Sequence, residues 1–196
     1  MSTAVQRGFK SRCEQISLRY RKELDITLED ALPYRRLATH MNVLVWTPEE
    51  IPDLDLRCVE DLAGIHAKEW SAATIEENGT TLVIVNSAHT EPRKANDVMH
   101  ELSHIILDHE PARVDLSEDG YLWLSSYDKR QEDEADWLAA SLLLPREGLL
   151  GVHKRKRAVE DLAEHFGVSS ELVRMRINMT GIGRQLAYSG RRTQRA

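Results

Sequence analysis

One amphipathic helix, read between Asn96 and His109, constrains this chain more than any other feature. Val98, Leu102, Ile105 and Ile106 recur at three- and four-residue intervals with Met99 beside them, the spacing that lines one face of an α-helix. An apolar stripe of that width has to be buried against other elements. Asn96 or Asp97 is the expected cap, since a short side-chain oxygen satisfies free N–H groups at a helix start. His100 and His104 stand four residues apart on the same helix. Their imidazoles therefore share a side and point at one spot.

That spot suits zinc, because neutral imidazole is a good zinc ligand and two of them fill half of a tetrahedral shell. Glu101 follows His100 directly and can reach a water at the metal as general base. The whole reads His-Glu-x-x-His, a zinc-hydrolase pattern. A third protein ligand is still required. The segment Gln131 to Leu144, ended by Pro145, is a second strong helix with its apolar stripe through Ala135, Leu138, Ala139, Leu142 and Leu143. Glu132 extends that stripe and is the expected ligand. Asp136, one turn on, fits a supporting role in which it accepts a hydrogen bond from a ligand imidazole and fixes its tautomer. Glu134 falls off the stripe and is the weaker candidate. Hydrolysis of a peptide also needs an oxyanion donor; Tyr121, Tyr127, His89 and His109 are the candidates, and the sequence does not choose among them. His109 reads equally well as a histidine interacting with the C-terminal dipole of its helix.

Taken together, Val-Met-His-Glu-Leu-Ser-His-Ile-Ile-Leu and Glu-Asp-Glu-Ala-Asp-Trp-Leu-Ala-Ala-Ser-Leu-Leu-Leu-Pro resemble the paired motifs of the ImmA/IrrE family of zinc metallopeptidases. The order of the remaining elements follows that family too, so the resemblance covers nearly the whole chain. Two departures are mild. Ser103 stands where glycine is usual, and Trp137-Leu138 replaces a commoner pair ending in Phe. The resemblance implies a zincin-like (gluzincin-like) fold, His100, His104 and Glu132 as ligands of zinc (manganese being the alternative), and Glu101 as catalytic acid and base. It also implies a substrate class: helix-turn-helix transcriptional repressors, cut to release a mobile element, a stress response or a toxin–antitoxin operon.

The rest of the chain reads as α+β. Phe9, Cys13, Ile16, Tyr20 and Leu24 mark a helix over 7–24, and Pro33 opens a short helix through Leu37. Asn42–Trp46 is strand-like, 56–66 helical, and Glu69–Ile75 and Thr80–Val85 form a hairpin around Asn78-Gly79. Thr80–Val85 is apolar on both faces and expected to be central in a small antiparallel sheet. Residues 87–94 and 111–120 read as loops and 121–124 as a short strand. Cys13 and Cys58 both fall in apolar helical patterns, so two buried thiols are expected, and two cysteines make no disulfide scaffold.

Charge divides the chain. Residues 151–196 carry ten Lys or Arg against four Asp or Glu, and the first 150 carry sixteen against twenty-eight. An acidic body with a basic end suits a nucleic-acid contact or a docking face. Helix, Gly167-Val168-Ser169 and second helix make a helix-turn-helix-like pattern. In a DNA-binding reading, Lys154, Arg155, Lys156 and Arg157 would meet phosphates, and Ser170, Arg174 and Arg176 would lie near a groove. The favoured reading is a helical pair packed on the body. The expected organisation is a peptidase domain over 1–150, a helical extension over 151–188 and a flexible tail over 189–196. No apolar run is long enough to span a membrane and no secretory signal opens the chain, so the cytoplasm is expected. The expected function is a zinc endopeptidase acting on a separate repressor protein; the alternative is a non-catalytic repressor- or DNA-binding regulator.

Overall fold

The computed structural model describes residues 6–110, 114–116, 122–124, 128–155 and 158–186. In chain order the elements are α1 (Phe9–Glu23), α2 (Tyr34–His40), β1 (Val43–Trp46), α3 (Leu56–Ala63), β2 (Ala72–Glu77) and β3 (Thr80–Val85). After them come α4 (Glu91–Leu107), β4 (Val114–Leu116), β5 (Leu122–Leu124), α5 (Lys129–Leu143), α6 (Arg146–Arg155), α7 (Val159–Phe166) and α8 (Ser170–Thr180). The fold is α+β and mainly helical.

The sheet runs β1-β3-β2, with the doubly apolar β3 in the centre as expected. Asn78 and Gly79 close the β2–β3 hairpin with φ of 50° and 78°, the positive pair that a two-residue turn of matching twist requires. β1 joins β3 in parallel, Val43 opposite Thr81. The sheet is therefore mixed rather than antiparallel throughout. The long connection through α3 and β2 brings the chain back to the same end, which a parallel pair needs. β4 and β5 form a separate antiparallel ribbon inside the stretch expected to be loop and short strand.

The helical core forms around α5, which packs on α1 and α4. Ala135, Leu138, Ala139 and Leu142, the residues of its predicted stripe, are buried with Val98, Met99 and Leu102 of α4. Small alanines on α5 let the two helices approach closely. On α1, Arg21 is almost wholly buried. Its guanidinium donates to the carbonyls of Thr27 and Asp30 at 2.8 Å and of Leu142 at 2.9 Å, tying the turn after α1 to the end of α5. Cys13 is buried in this core, but Cys58 is exposed. The difference arises because α3 buries none of its residues, so its apolar pattern does not meet the core.

Pro145 does not simply end α5; the chain turns there and enters α6. Gly148, inside α6, lets the segment before α2 approach closely, since a Cβ at this position would sit 1.8 Å from the carbonyl oxygen of Leu28. In the following pair, Gly167 takes a left-handed φ of 67° and the Ser169 side chain accepts from the N–H of Leu172, capping α8. Leu162, Phe166 and Val173 are buried. Arg176 is buried as well, away from the groove position that the DNA-binding reading would give it. It donates to the carbonyl of Leu144 and to Ser141 Oγ, each at 2.9 Å, and pairs with Glu14 of α1. Its charge is thus spent inside the fold. The 189–196 tail lies outside the described residues, among which no helix is long and apolar enough to cross a membrane.

Candidate metal centre

α4 starts five residues before Asn96, at Glu91, with Thr90 at its N-cap position and Pro92 in its first turn. Asn96 and Asp97 are therefore inside the helix and do not cap it. The helix ends at Asp108, whose φ of 56° is left-handed, a conformation that Asp adopts more readily than most residues.

On this helix His100 and His104 face one another, their Nε2 atoms 3.0 Å apart. Glu132 of α5 completes a triangle: Oε2 lies 3.3 Å from His100 Nε2, and Oε1 lies 3.5 Å from His104 Nε2. Among the described residues His100, His104 and Glu132 form a group that can hold a metal ion. Two ligands of a tetrahedral zinc, each about 2.0–2.1 Å from the ion, are about 3.3 Å apart. The three separations bracket that value, so the donor set fits zinc in size as well as in chemistry.

Around the triangle, Asp136 Oδ1 stands 2.9 Å from His100 Nδ1. Glu134 points elsewhere, with Oε2 3.4 Å from His109 Nε2, so it is not part of the triangle. Glu101 Oε2 accepts a 2.5 Å hydrogen bond from the Thr74 hydroxyl on β2. Thr74 was not anticipated from the sequence. Its only signal is a hydroxyl on the same face of the strand as Ala72 and Glu76. A cavity of about 290 Å³ opens beside these groups, lined by Ser71, Ala72, Asn96, Asp97, His100, Glu101 and Asp136.

The two imidazoles differ electrostatically. Burial works against a proton on His100, but the hydrogen bond and charge of Asp136, with Glu101 and Glu132 behind it, outweigh burial and raise its pKa. At His104, burial and then the neighbouring His100 and His109 push the pKa down to about 4. Metal binding needs a lone pair at Nε2 of both rings, so the raised pKa of His100 makes metal affinity fall as pH falls.

The other candidates lie apart from the triangle. His89 is buried against Asp97, Nδ1 to Oδ2 at 2.8 Å. His109 sits behind His104, its Nδ1 3.0 Å from His104 Nδ1, on the ring edge opposite the converging ligands. That position does not suit an oxyanion donor. Tyr121 and Tyr127, and with them Lys156 and Arg157, lie outside the described residues. Arg155 is paired with Glu29 and Arg174 with Glu160, while Lys154 is exposed on α6. Of the described basic residues at this end, Lys154 and Arg184 are exposed and outside these pairs.

A family model described as the IrrE N-terminal-like domain, Peptidase_M78, matches residues 62–178. That span holds the whole triangle, Glu101 and Thr74. Among solved structures, a Mycobacterium tuberculosis transcriptional regulator is similar in fold, with a TM-score of 0.51 and 14% identity, over 83% of this chain and 45% of that one. The chain thus spans less than half the length of that structure. No curated protein matches it significantly.

Proposed function

The chain belongs to the Peptidase_M78 family of IrrE N-terminal-like domains, and on that premise we propose that it is a zinc-dependent endopeptidase. The observation that carries this reading is the triangle of His100, His104 and Glu132, with its tetrahedral-edge spacings of 3.0, 3.3 and 3.5 Å. Those three side chains would hold the ion. Zinc supplies Lewis acidity there, lowering the pKa of a water and polarising a carbonyl.

The remaining work falls to the chain's own residues. Glu101 takes a proton at its carboxylate from the attacking water and returns it to the leaving amine. The Thr74 hydroxyl holds Oε2 of that carboxylate. Asp136, by accepting from His100 Nδ1–H, keeps the lone pair of Nε2 toward the ion. β2 is an outer strand of the sheet, so one edge carries backbone groups unpaired within the sheet. An extended substrate segment adds to that edge by strand pairing, which places its backbone beside Thr74 and Glu101. The substrate proposed is a helix-turn-helix repressor acting as a separate protein in the cytoplasm. This part rests on the resemblance to the ImmA/IrrE family.

Metal analysis of the wild type beside His104→Ala and Glu132→Ala tests the site. About one zinc per chain in the wild type, lost in both variants, is expected; reloading with manganese distinguishes the two metals. Retention of zinc by Glu132→Ala would remove Glu132 from the ligand set. Glu101→Gln keeps the metal and is expected to cleave a helix-turn-helix repressor, tested with the neighbouring one where one is encoded, about 10²–10⁴-fold more slowly. Cleavage unaffected by Glu101→Gln would overturn the mechanism.

A further inference from the structure

His104 lacks the carboxylate partner that His100 has in Asp136, yet its Nδ1 is not left to solvent. The left-handed turn at Asp108 reverses the chain, and the His109 N–H bonds to the His104 carbonyl at 3.1 Å. This folds the His109 ring back under His104, Nδ1 to Nδ1 at 3.0 Å. The far nitrogen of His109 meets Glu134 Oε2 at 3.4 Å, and Glu134 Oε1 lies 3.7 Å from Arg130 Nε. His109 and Glu134 are both largely buried, with side chains 7% and 13% exposed.

From this geometry we infer that His109 and Glu134 are a positioning pair that orients His104 for metal binding, an inference that rests on the zinc reading above. Proton placement leaves one consistent arrangement. For His104 to offer a lone pair at Nε2, toward His100 and Glu132, its proton sits on Nδ1. His109 Nδ1 then accepts that proton's hydrogen bond, so His109 carries its own proton on Nε2 and donates it to Glu134. Each histidine of the triangle is thus backed by a carboxylate of α5, His100 directly through Asp136 and His104 through one intervening imidazole. Outer partners of this kind fix ring orientation and ligand basicity. His109 contacts neither substrate nor ion; it acts through His104.

The test is zinc affinity by chelator competition, with the Co(II) absorption spectrum as second readout. His109→Leu removes the acceptor while filling the space, and a loss of roughly 10–100-fold in affinity is expected. His109→Asn restores an oxygen at the position of Nδ1 and is expected to recover most of that loss and the wild-type Co(II) spectrum. A purely structural His109 would not distinguish Leu from Asn in this way. Equal, wild-type affinity in both variants would overturn the pair. Should His109→Leu not fold, long-range ¹H–¹⁵N correlations in the zinc-loaded wild type decide the matter. The proton of His109 is expected on Nε2, and finding it on Nδ1 would overturn the assignment. A wild type that takes up no zinc would refute the zinc reading itself and this pair with it, an outcome distinct from a variant that binds normally.

Discussion

Arg176→Met cuts the tie that holds α8 against α1 and α5, and its cost can be worked from the contacts. The Arg176 side chain is 1% exposed and Glu14 27%. Breaking a buried ion pair by removing one partner costs about 3–5 kcal/mol, because the remaining charge is stranded. Two features place this case at the low end. Glu14 is partly solvated and still accepts from the N–H of Arg146 at 2.9 Å, and Arg176 Nη1 has no hydrogen-bond partner, so some of the burial was never compensated. The expected loss is about 3 kcal/mol. For a protein of this size that lowers Tm by about 6–12 °C. Thermal and urea unfolding of the metal-free protein measure it without interference from ligand binding. Adding Glu14→Met should return part of the loss, since the stranded carboxylate goes with it. A loss below about 1 kcal/mol would refute the reasoning, and α8 would then be an appendage that the body does not need.

The two thiols should behave differently, because burial, opposed only in part by nearby Arg176, pushes the Cys13 thiol up to about 12. At pH 8 a disulfide reagent should titrate only Cys58 in the native protein and reach Cys13 on unfolding; simultaneous reaction of both would contradict the packing of α1. Gly148→Ala offers a sign test. Within a helix that change ordinarily stabilises by up to about 1 kcal/mol, but here the new methyl meets the Leu28 carbonyl. A loss of about 1–3 kcal/mol is expected in urea unfolding, and a gain would show that the 28–30 turn yields freely.

Local spacing made His100, Glu101 and His104 legible, since four residues on a helix fix a common face whatever the fold. Helical phase also placed Glu132 against the same spot. What stayed hidden depends on contacts distant in sequence. The parallel pairing of β1 with β3 is set by where a 33-residue connection returns, and α6 was obscured because Pro145 both ends one helix and precedes the next. The burial of Arg176 and the exposure of Cys58 were illegible for a shared reason. Polarity and periodicity report what a side chain prefers, whereas burial depends on whether another element arrives to cover it. Glu14 and Ser141 arrive at Arg176; among the described residues none packs closely enough on α3 to bury one of its side chains. His109 turned on a single backbone angle at Asp108 that no motif announces.

The division of the metal triangle between α4 and α5 sets an order of events during synthesis. Glu101 and the two histidines of α4 leave the ribosome first. The third ligand is encoded 28 residues after His104, and its geometry depends on α5 packing its apolar face on α4. At about 5–20 residues per second, the nascent chain carries a general base with an incomplete ion site for a second or more. On the proposed function, the growing polypeptide meets no complete metal site until the two helices have docked.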